Sequence, residues 1–251
     1  MKNFTICNLL ALAIGVALTL ASTNVVHAHG DVWLYADVPS DQLAVGVADE
    51  TGATFTPGER VFEGFLTLDL LPFSPFDFSA SDPGFRSAAG DLPPSQPIGL
   101  AVTSLKVWNG AGLDSVADVA FAFDLTGGIG SDADGSVHDH PLFGLTAFAA
   151  NPVPDGVYVA SVQASIAGLG DSEEFFFVLL KDDLITDEND VEALEGLLED
   201  FENGGPTPVF GGKDFSFFEE AVEFVNAVPE PSGLALGGLA TLIGVVRMRR
   251  R

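Results

Sequence analysis

The sequence predicts a mainly β protein, an antiparallel β-sandwich followed by a small C-terminal helical appendage. Three observations predict this class. The middle of the 251-residue chain alternates with a period of two, its short apolar runs are separated by Gly, Pro, Asp and Asn, and a helical period appears only near the end. We place the sandwich at residues 29–183 and an acidic helical segment at residues 184–227.

The strands are predicted from alternation and from one unbroken apolar run. In GVYVASVQASIAG, one face of the strand carries Tyr158, Ala160, Val162, Ala164 and Ile166. Between its charged ends the run EFFFVLLK is unbroken apolar sequence, which is typical of a strand in the middle of a sandwich. Further β-like runs are residues 32–36, 43–47, 65–70, 99–107 and 120–125. Residues 72–97 contain too many prolines for a strand, and we interpret them as a long surface excursion.

Two segments after the strands have helical spacing. NDVEALEGLLEDFENGG places apolar residues three and four apart, after Asn189 or Asp190 as N-cap and before a Gly pair. SFFEEAVEFVNAV offers Ser216 and Glu219 as a capping box, with Phe218 among the residues of its apolar side. We expect both helices to pack on an edge of the sandwich, and neither segment predicts a chemical role.

Charge is distributed unevenly along the chain. All 36 acidic residues lie between Asp31 and Glu230, where the bases are Arg60, Arg86, Lys106, Lys181 and Lys213, so this stretch carries a net charge of −31. Such a field repels nucleic acid and anionic lipid and attracts cations. A solvated acidic surface explains the same charge without a dedicated site.

The first 28 residues have the layout of a secretory signal peptide. Lys2 gives the positive start, an apolar run follows, and Val26-His27-Ala28 suits signal peptidase, so the mature chain is expected to begin at His29. A cut near Ser22 or Thr23 is the alternative and leaves both His27 and His29 in a short polar arm. The single cysteine lies within the removed peptide, so no disulfide or thiolate metal site is predicted.

The last 24 residues contain a second targeting signal. VPEPSGLALGGLATLIGVVRMRRR joins a Pro-Glu-Pro triplet, an apolar run at residues 233–246 and an arginine cluster. Residues 228–251 closely resemble the PEP-CTERM sorting tail of Gram-negative bacteria. The resemblance implies removal by an exosortase, transient anchoring in the inner membrane with the arginines cytoplasmic, and a final place at the cell surface or in the extracellular matrix, in contact with exopolysaccharide. A plain single-span anchor is the alternative.

The histidines give the main chemical signal. His138 and His140 are two residues apart, so an extended chain points both rings to one side. His29 would add an imidazole and an α-amine, and Asp31 and Asp139 could complete the ligand set or orient the rings. Zn²⁺ accepts such ligands in a tetrahedron, and Cu²⁺ is the alternative. The two histidines could equally decorate a Gly/Asp loop.

A second resemblance rests on three blocks of sequence. HGDVWL, HDHPLFGL and DGVYVASVQASIAGLGDSEEFFFVL are similar to blocks in a group of PEP-CTERM surface proteins, some of them under the zinc-uptake repressor. The matching positions are His29, Asp31, His138 and His140, and the implied role is zinc handling outside the inner membrane. The proline-rich residues 72–97 depart from the compact pattern of that group.

Other motifs are weak or absent. The sequence DADG alternates oxygen ligands, but the rest of a calcium loop is missing, so we interpret Asp132 and Asp134 as part of a turn. No motif for a catalytic serine, a metalloprotease or a phosphate loop occurs. Three hypotheses follow: a non-enzymatic zinc-binding surface protein, a structural or adhesive matrix protein without a metal site, and a copper oxidase built on an amino-terminal histidine.

Overall fold

A computed structural model describes residues 30–48, 55–71, 73–148 and 152–227 of the chain. The predicted fold class is confirmed, because β-strands dominate and two short helices close the described region. The predicted signal peptide at residues 1–28 and the predicted sorting tail at residues 228–251 lie outside the described residues. Neither of the two described helices is long and apolar enough to cross a membrane.

Fourteen strands come first along the described chain, and the two helices, separated by two short strands, come last. The first strands are β1 (Val32–Asp37), β2 (Gln42–Ala48), β3 (Phe55–Pro57), β4 (Val61–Leu68), β5 (Phe78–Ala80), β6 (Phe85–Ser87), β7 (Pro97–Trp108) and β8 (Leu113–Ser115). Next come β9 (Val119–Phe123), β10 (Ile129–Gly130), β11 (Val137–Asp139), β12 (Phe143–Ala147), β13 (Gly156–Ile166) and β14 (Phe175–Lys181). The last elements are α1 (Glu188–Glu202), β15 (Val209–Phe210), β16 (Lys213–Asp214) and α2 (Ser216–Ala227).

Two larger sheets form the sandwich. One has the strand order β11-β6-β1-β2-β3, and the other has the order β10-β7-β13-β14-β4-β5-β12-β9 with β8 paired to β7. Most ladders are antiparallel, but β1 pairs with β6 and β14 pairs with β4 in parallel. Strand β14 lies between β13 and β4, as its apolar sequence predicts. The parallel pairing of β1 and β6 sets the order of strands at one edge of the smaller sheet.

A phenylalanine-rich core fills the space between the two sheets. The alternation of β13 is confirmed, since all five residues of its predicted dry face are buried. Phe177 lies at the centre, fully buried, with six aromatic neighbours whose ring centroids are 5.2–6.3 Å away: Phe62, Phe85, Phe121, Phe123, Phe143 and Phe175. Edge-to-face and tilted pairs of this kind add to the free energy that burial alone provides.

The helices cover the outer face of the larger sheet, which corrects the expectation that they pack on its edge. A second apolar core joins Val159 of β13 and Leu180 of β14 to Leu194, Leu198 and Val222 of the helices. Because β4, β13 and β14 are covered on both faces, they carry apolar side chains in both directions. The protein therefore has three layers in this region: sheet, sheet and helices.

The predicted helix caps are wrong in detail. The N-cap of α1 is Asp187, which accepts hydrogen bonds from the backbone of Asn189 and Asp190. The predicted capping box of α2 does not form, because the Ser216 amide donates to Asp214 at 2.9 Å. The carboxyl group of Glu219 turns into the interior instead. Sequence capping rules assume that such a glutamate has no other role.

Residues 72–97 are not a surface excursion, which corrects a second expectation. They contain two strands, β5 and β6, one in each sheet, and bury Phe76, Phe78 and Phe85. Proline is tolerated here because β5 and β6 are only three residues long and neither strand contains a proline. The segment crosses from the larger sheet to the smaller one.

Asp132 and Asp134 lie in the turn that the sequence predicts, where hydrogen bonds from Ser136 lower the pKa of Asp134.

We expect both tyrosines of the chain to ionise above the usual tyrosine range. Burial, helped by Asp155, raises the pKa of Tyr158 to about 12, and burial beside Asp37 raises that of Tyr35. The fold thus favours the neutral phenol, and this stabilisation is complete below about pH 10 and is lost as the pH rises through about 12. An absorbance titration of native and urea-unfolded protein measures the difference. Coincident curves would contradict the expectation.

Candidate metal centre

The candidate metal centre lies at the edge of the five-stranded sheet, where three neighbouring strands meet. Strand β11 pairs with β6 so that His138 lies opposite Arg86, and β6 pairs with β1 so that Val32 lies opposite Phe85. Asp31 immediately precedes β1 and is held by its carbonyl, which accepts a hydrogen bond from Ala48. The sheet therefore brings the first described strand and the His-x-His segment to the same edge.

Asp31, His138 and His140 converge at this edge. One carboxylate oxygen and one ring nitrogen from each histidine all lie within 4.8 Å of one another. The two imidazole rings have centroids 5.3 Å apart, and both histidines are exposed, whereas the Asp31 side chain is 13% exposed. Two imidazoles and a carboxylate are a donor set that Zn²⁺ binds, and exposed rings can close on an ion by small rotations.

Asp82 orients His140. The Nδ1 atom of His140 lies 2.9 Å from Asp82 Oδ1, so this nitrogen donates its hydrogen to the carboxylate. The lone pair is then on Nε2, which lies 3.9 Å from Asp31 Oδ1. A carboxylate that accepts from the far nitrogen of a histidine is the usual support of a metal-binding imidazole, because it fixes both tautomer and ring orientation.

Gly84 allows the close approach of Asp31 and His140. A Cβ atom on Gly84 would lie 2.5 Å from His140 Nδ1, so no other residue fits here without moving the ring. The Gly84 amide donates to Asp31 Oδ1 at 3.0 Å, and its carbonyl accepts from Val32 at 2.9 Å. The backbone of this residue thus holds the carboxylate in place and leaves room for the imidazole.

Arg86 is the cation at this site. Its Nε atom lies 3.0 Å from Asp31 Oδ2, and its Nη2 atom lies 3.0 Å from His138 Nε2. A guanidinium has only donors, so His138 accepts through Nε2 and carries its hydrogen on Nδ1. Arg86 therefore engages two of the side chains that a metal ion would use and competes with that ion for them.

An acidic cavity of about 520 Å³ adjoins the centre. Asp31 and Asp82 belong to its lining, and the face of α1 contributes a stripe of glutamates at helical spacing, so that its acidic lining residues are Asp31, Glu63, Asp82, Glu188, Glu192 and Glu195. No basic residue of the described chain lines it. A cavity lined by one sign of charge concentrates ions of the opposite sign. The cavity therefore favours cations next to the candidate ligands.

The remaining predicted ligands have different positions. Asp139 lies outside the cluster, because strand alternation directs its side chain to the side of buried Val137 rather than that of His138. His29 lies outside the described residues, two positions before Asp31. Asp31, His138 and His140 are thus the predicted residues that the structure brings together.

Sequence reasoning missed Asp82, Gly84 and Arg86. All three lie in the segment that was interpreted as a surface excursion, so no contact with the histidines was expected. One signal was available, since Arg86 is one of five bases between Asp31 and Glu230. A cation in so acidic a stretch indicates a specific acidic partner, which is Asp31.

Comparison of the chain with protein-family models, with curated proteins and with solved structures gives no match in any of the three. The geometry of the cluster and the order of the strands that build it are therefore the basis for assigning a function.

Proposed function

We propose that this chain is an exported, surface-associated protein without enzymatic activity that binds one divalent transition metal ion. Zinc is the ion that we propose first. The ligands are His138, His140 and Asp31, with His29 two residues before Asp31 as the fourth. One observation carries the proposal: three side chains from two distant parts of the sequence place their donor atoms within 4.8 Å of one another. Asp82 supports His140, and the acidic cavity attracts the ion.

Calorimetric titration of Zn²⁺ into the purified chain tests the proposal. We expect one tight site per chain that persists at high salt, because direct ligand bonds are screened far less than the diffuse attraction of the acidic stretch between Asp31 and Glu230, whose net charge is −31. Affinity should fall as the pH is lowered, since the ring nitrogens bind metal only when unprotonated. Binding that disappears at high salt would contradict a specific site. Cu²⁺ fits the same ligands, and the metal content of protein isolated from its host decides between the two ions.

A structural role without metal is the second candidate, and Arg86 favours it. The guanidinium joins Asp31 to His138 and so links β1, β6 and β11 without any ion. In this case the protein presents a surface to the extracellular matrix, and the polar network at the sheet edge only stabilises the fold. The two candidates give opposite expectations for a variant of Arg86.

We expect Arg86→Gln to raise the affinity for Zn²⁺. The substitution removes the positive charge that competes for Asp31 and His138, and glutamine retains part of the packing volume. Titration of the variant beside Arg60→Gln, which loses a base that pairs with Glu173 elsewhere, provides the measurement and its control. If Arg86→Gln lowers the melting temperature and gains no zinc affinity, the structural candidate is favoured.

We expect Asp82→Asn to lower zinc affinity by about 10–100-fold, the usual effect of removing a carboxylate that orients a ligating histidine. The amide keeps the size of the side chain but no longer holds the Nδ1 hydrogen of His140 as strongly. Zinc titration of this variant and of Asp171→Asn, which removes the same charge from an exposed position, gives the comparison. Equal losses in the two variants would show that only the overall charge matters.

A further inference from the structure

Glu63 is a buried acid in an apolar interface. It lies on β4 between Val61 and Phe65, both of which belong to the core between the larger sheet and the helices. Glu63 itself is only 5% exposed. Because a glutamate is almost never buried this deeply without a compensating partner, its position marks a polar site between sheet and helices.

Glu219 and Glu202 meet Glu63 at this site from the two helices. One carboxylate oxygen from each of the three residues lies within 4.8 Å of the others. Glu219 is also 5% exposed, and both of its carboxylate oxygens are buried without a hydrogen bond from any N–H or hydroxyl donor of the described chain. Its carboxyl group lies against that of Glu202, and two carboxyl groups make such a contact only with a proton or a cation between them.

A positive charge would stabilise the three glutamates, because their surroundings are negative. Glu219 is buried close to the carboxyl groups of Glu63, Glu202 and Glu223. Glu202 is the last residue of α1, whose final turn contains no base. The negative end of the helix dipole therefore adds to the carboxylates rather than opposing them.

We propose that Glu63, Glu202 and Glu219 form a second metal site, which binds one hard divalent cation, Ca²⁺, between β4 and the two helices. Oxygens that bind one Ca²⁺ at roughly 2.3–2.6 Å lie at most about 5 Å apart, and the observed cluster falls within that span. The all-oxygen donor set separates this site from the histidine centre, which suits zinc. Glu63 also lines the acidic cavity, which offers the ion a path from solvent.

The bound ion has a structural consequence, since it joins three elements that are distant in sequence. Ca²⁺ would hold the C-terminal end of α1 and the first turns of α2 against the face of β4. The described residues that face Glu219 across this interface contribute carboxyl groups, so the ion takes the place of the proton that their contact otherwise requires. We therefore expect calcium to stabilise the folded protein and to reduce movement of the helices relative to the sheet.

Thermal unfolding of the purified chain with and without Ca²⁺, at high salt, tests this site. Trp108 is a suitable fluorescent probe, because its ring lies 4.9 Å from that of Phe224 on α2. We expect Ca²⁺ to raise the melting temperature of the wild type and to have little effect on Glu219→Gln. Glu220→Gln is the matched control, since it removes the same charge from the next position of the same helix, where the side chain is exposed.

Two further variants keep the test decisive. Glu202→Gln changes an exposed member of the cluster, so it tests the site even if Glu219→Gln fails to fold, and we expect it to weaken calcium binding at least tenfold. His138→Ala/His140→Ala should keep the full response to calcium, which separates this site from the zinc centre. An equal shift of the melting temperature in the wild type, Glu220→Gln and both cluster variants would overturn the proposal and leave a shared proton as the occupant.

Discussion

Replacing both His138 and His140 with alanine is expected to abolish specific zinc binding, with a loss of affinity of at least about 100-fold. The basis is that removal of a supporting carboxylate alone already costs about 10–100-fold, and here two direct ligands are lost. The charge at neutral pH hardly changes, so the general attraction of the acidic surface for cations is preserved. Calorimetric titration at high salt, with the wild type measured in parallel, gives the affinity.

The same double variant should fold normally. Both histidines are exposed, and β11 keeps its backbone pairing with β6, so the melting temperature without zinc should remain close to that of the wild type. Zinc should then raise the melting temperature of the wild type alone, because an ion that binds only the native state stabilises it. Unchanged zinc affinity in the variant would refute the histidine site and favour the structural candidate.

Phe177→Ala is expected to cause the largest loss of stability, a decrease of about 3–5 kcal/mol in the free energy of unfolding. The side chain is fully buried between the two sheets and touches rings from both of them, so its removal leaves a cavity at the centre of the core. Urea unfolding of wild type and variant measures the difference. If the variant is unfolded at room temperature, the yield of folded protein on expression is compared with that of the wild type instead.

Phe148→Ala is the control for this experiment. The same atoms are removed, but Phe148 is 71% exposed, so we expect the free energy of unfolding to change by no more than about 0.5 kcal/mol. Similar losses in both variants would mean that Phe177 does not occupy the centre of a cooperative core. The comparison thus tests the packing of the sandwich independently of any metal.

Periodicity in the sequence was sufficient to predict most of the larger sheet. The alternation of β13 and the apolar run of β14 predict that both strands are buried. Their apolar side chains pack either in the core between the sheets or against the helices. Residues 72–97 could not be assigned from local pattern. Their strands are three residues long, too short for a period to appear, and they form only because strands distant in sequence provide the hydrogen bonds.

The candidate metal centre was also only partly predictable from the sequence. His138 and His140 are visible because histidine is rare in this chain and because spacing by two aligns their rings. The contribution of Asp82, Gly84 and Arg86 depends on the parallel pairing of β1 with β6, which no local pattern encodes. The cluster of Glu63, Glu202 and Glu219 could not be predicted either, because in an acidic sequence nothing distinguishes a buried glutamate from a solvated one.

The order of strands at the edge of the smaller sheet determines when the proposed metal centre can form. Asp31 and His138 are about a hundred residues apart in sequence, and β6 must be inserted between β1 and β11 before their side chains meet. In a growing or extended chain these side chains are far apart, so the proposed centre would form only on folding. If the chain is exported unfolded and binds metal as proposed, the compartment in which it folds would determine which ion it binds.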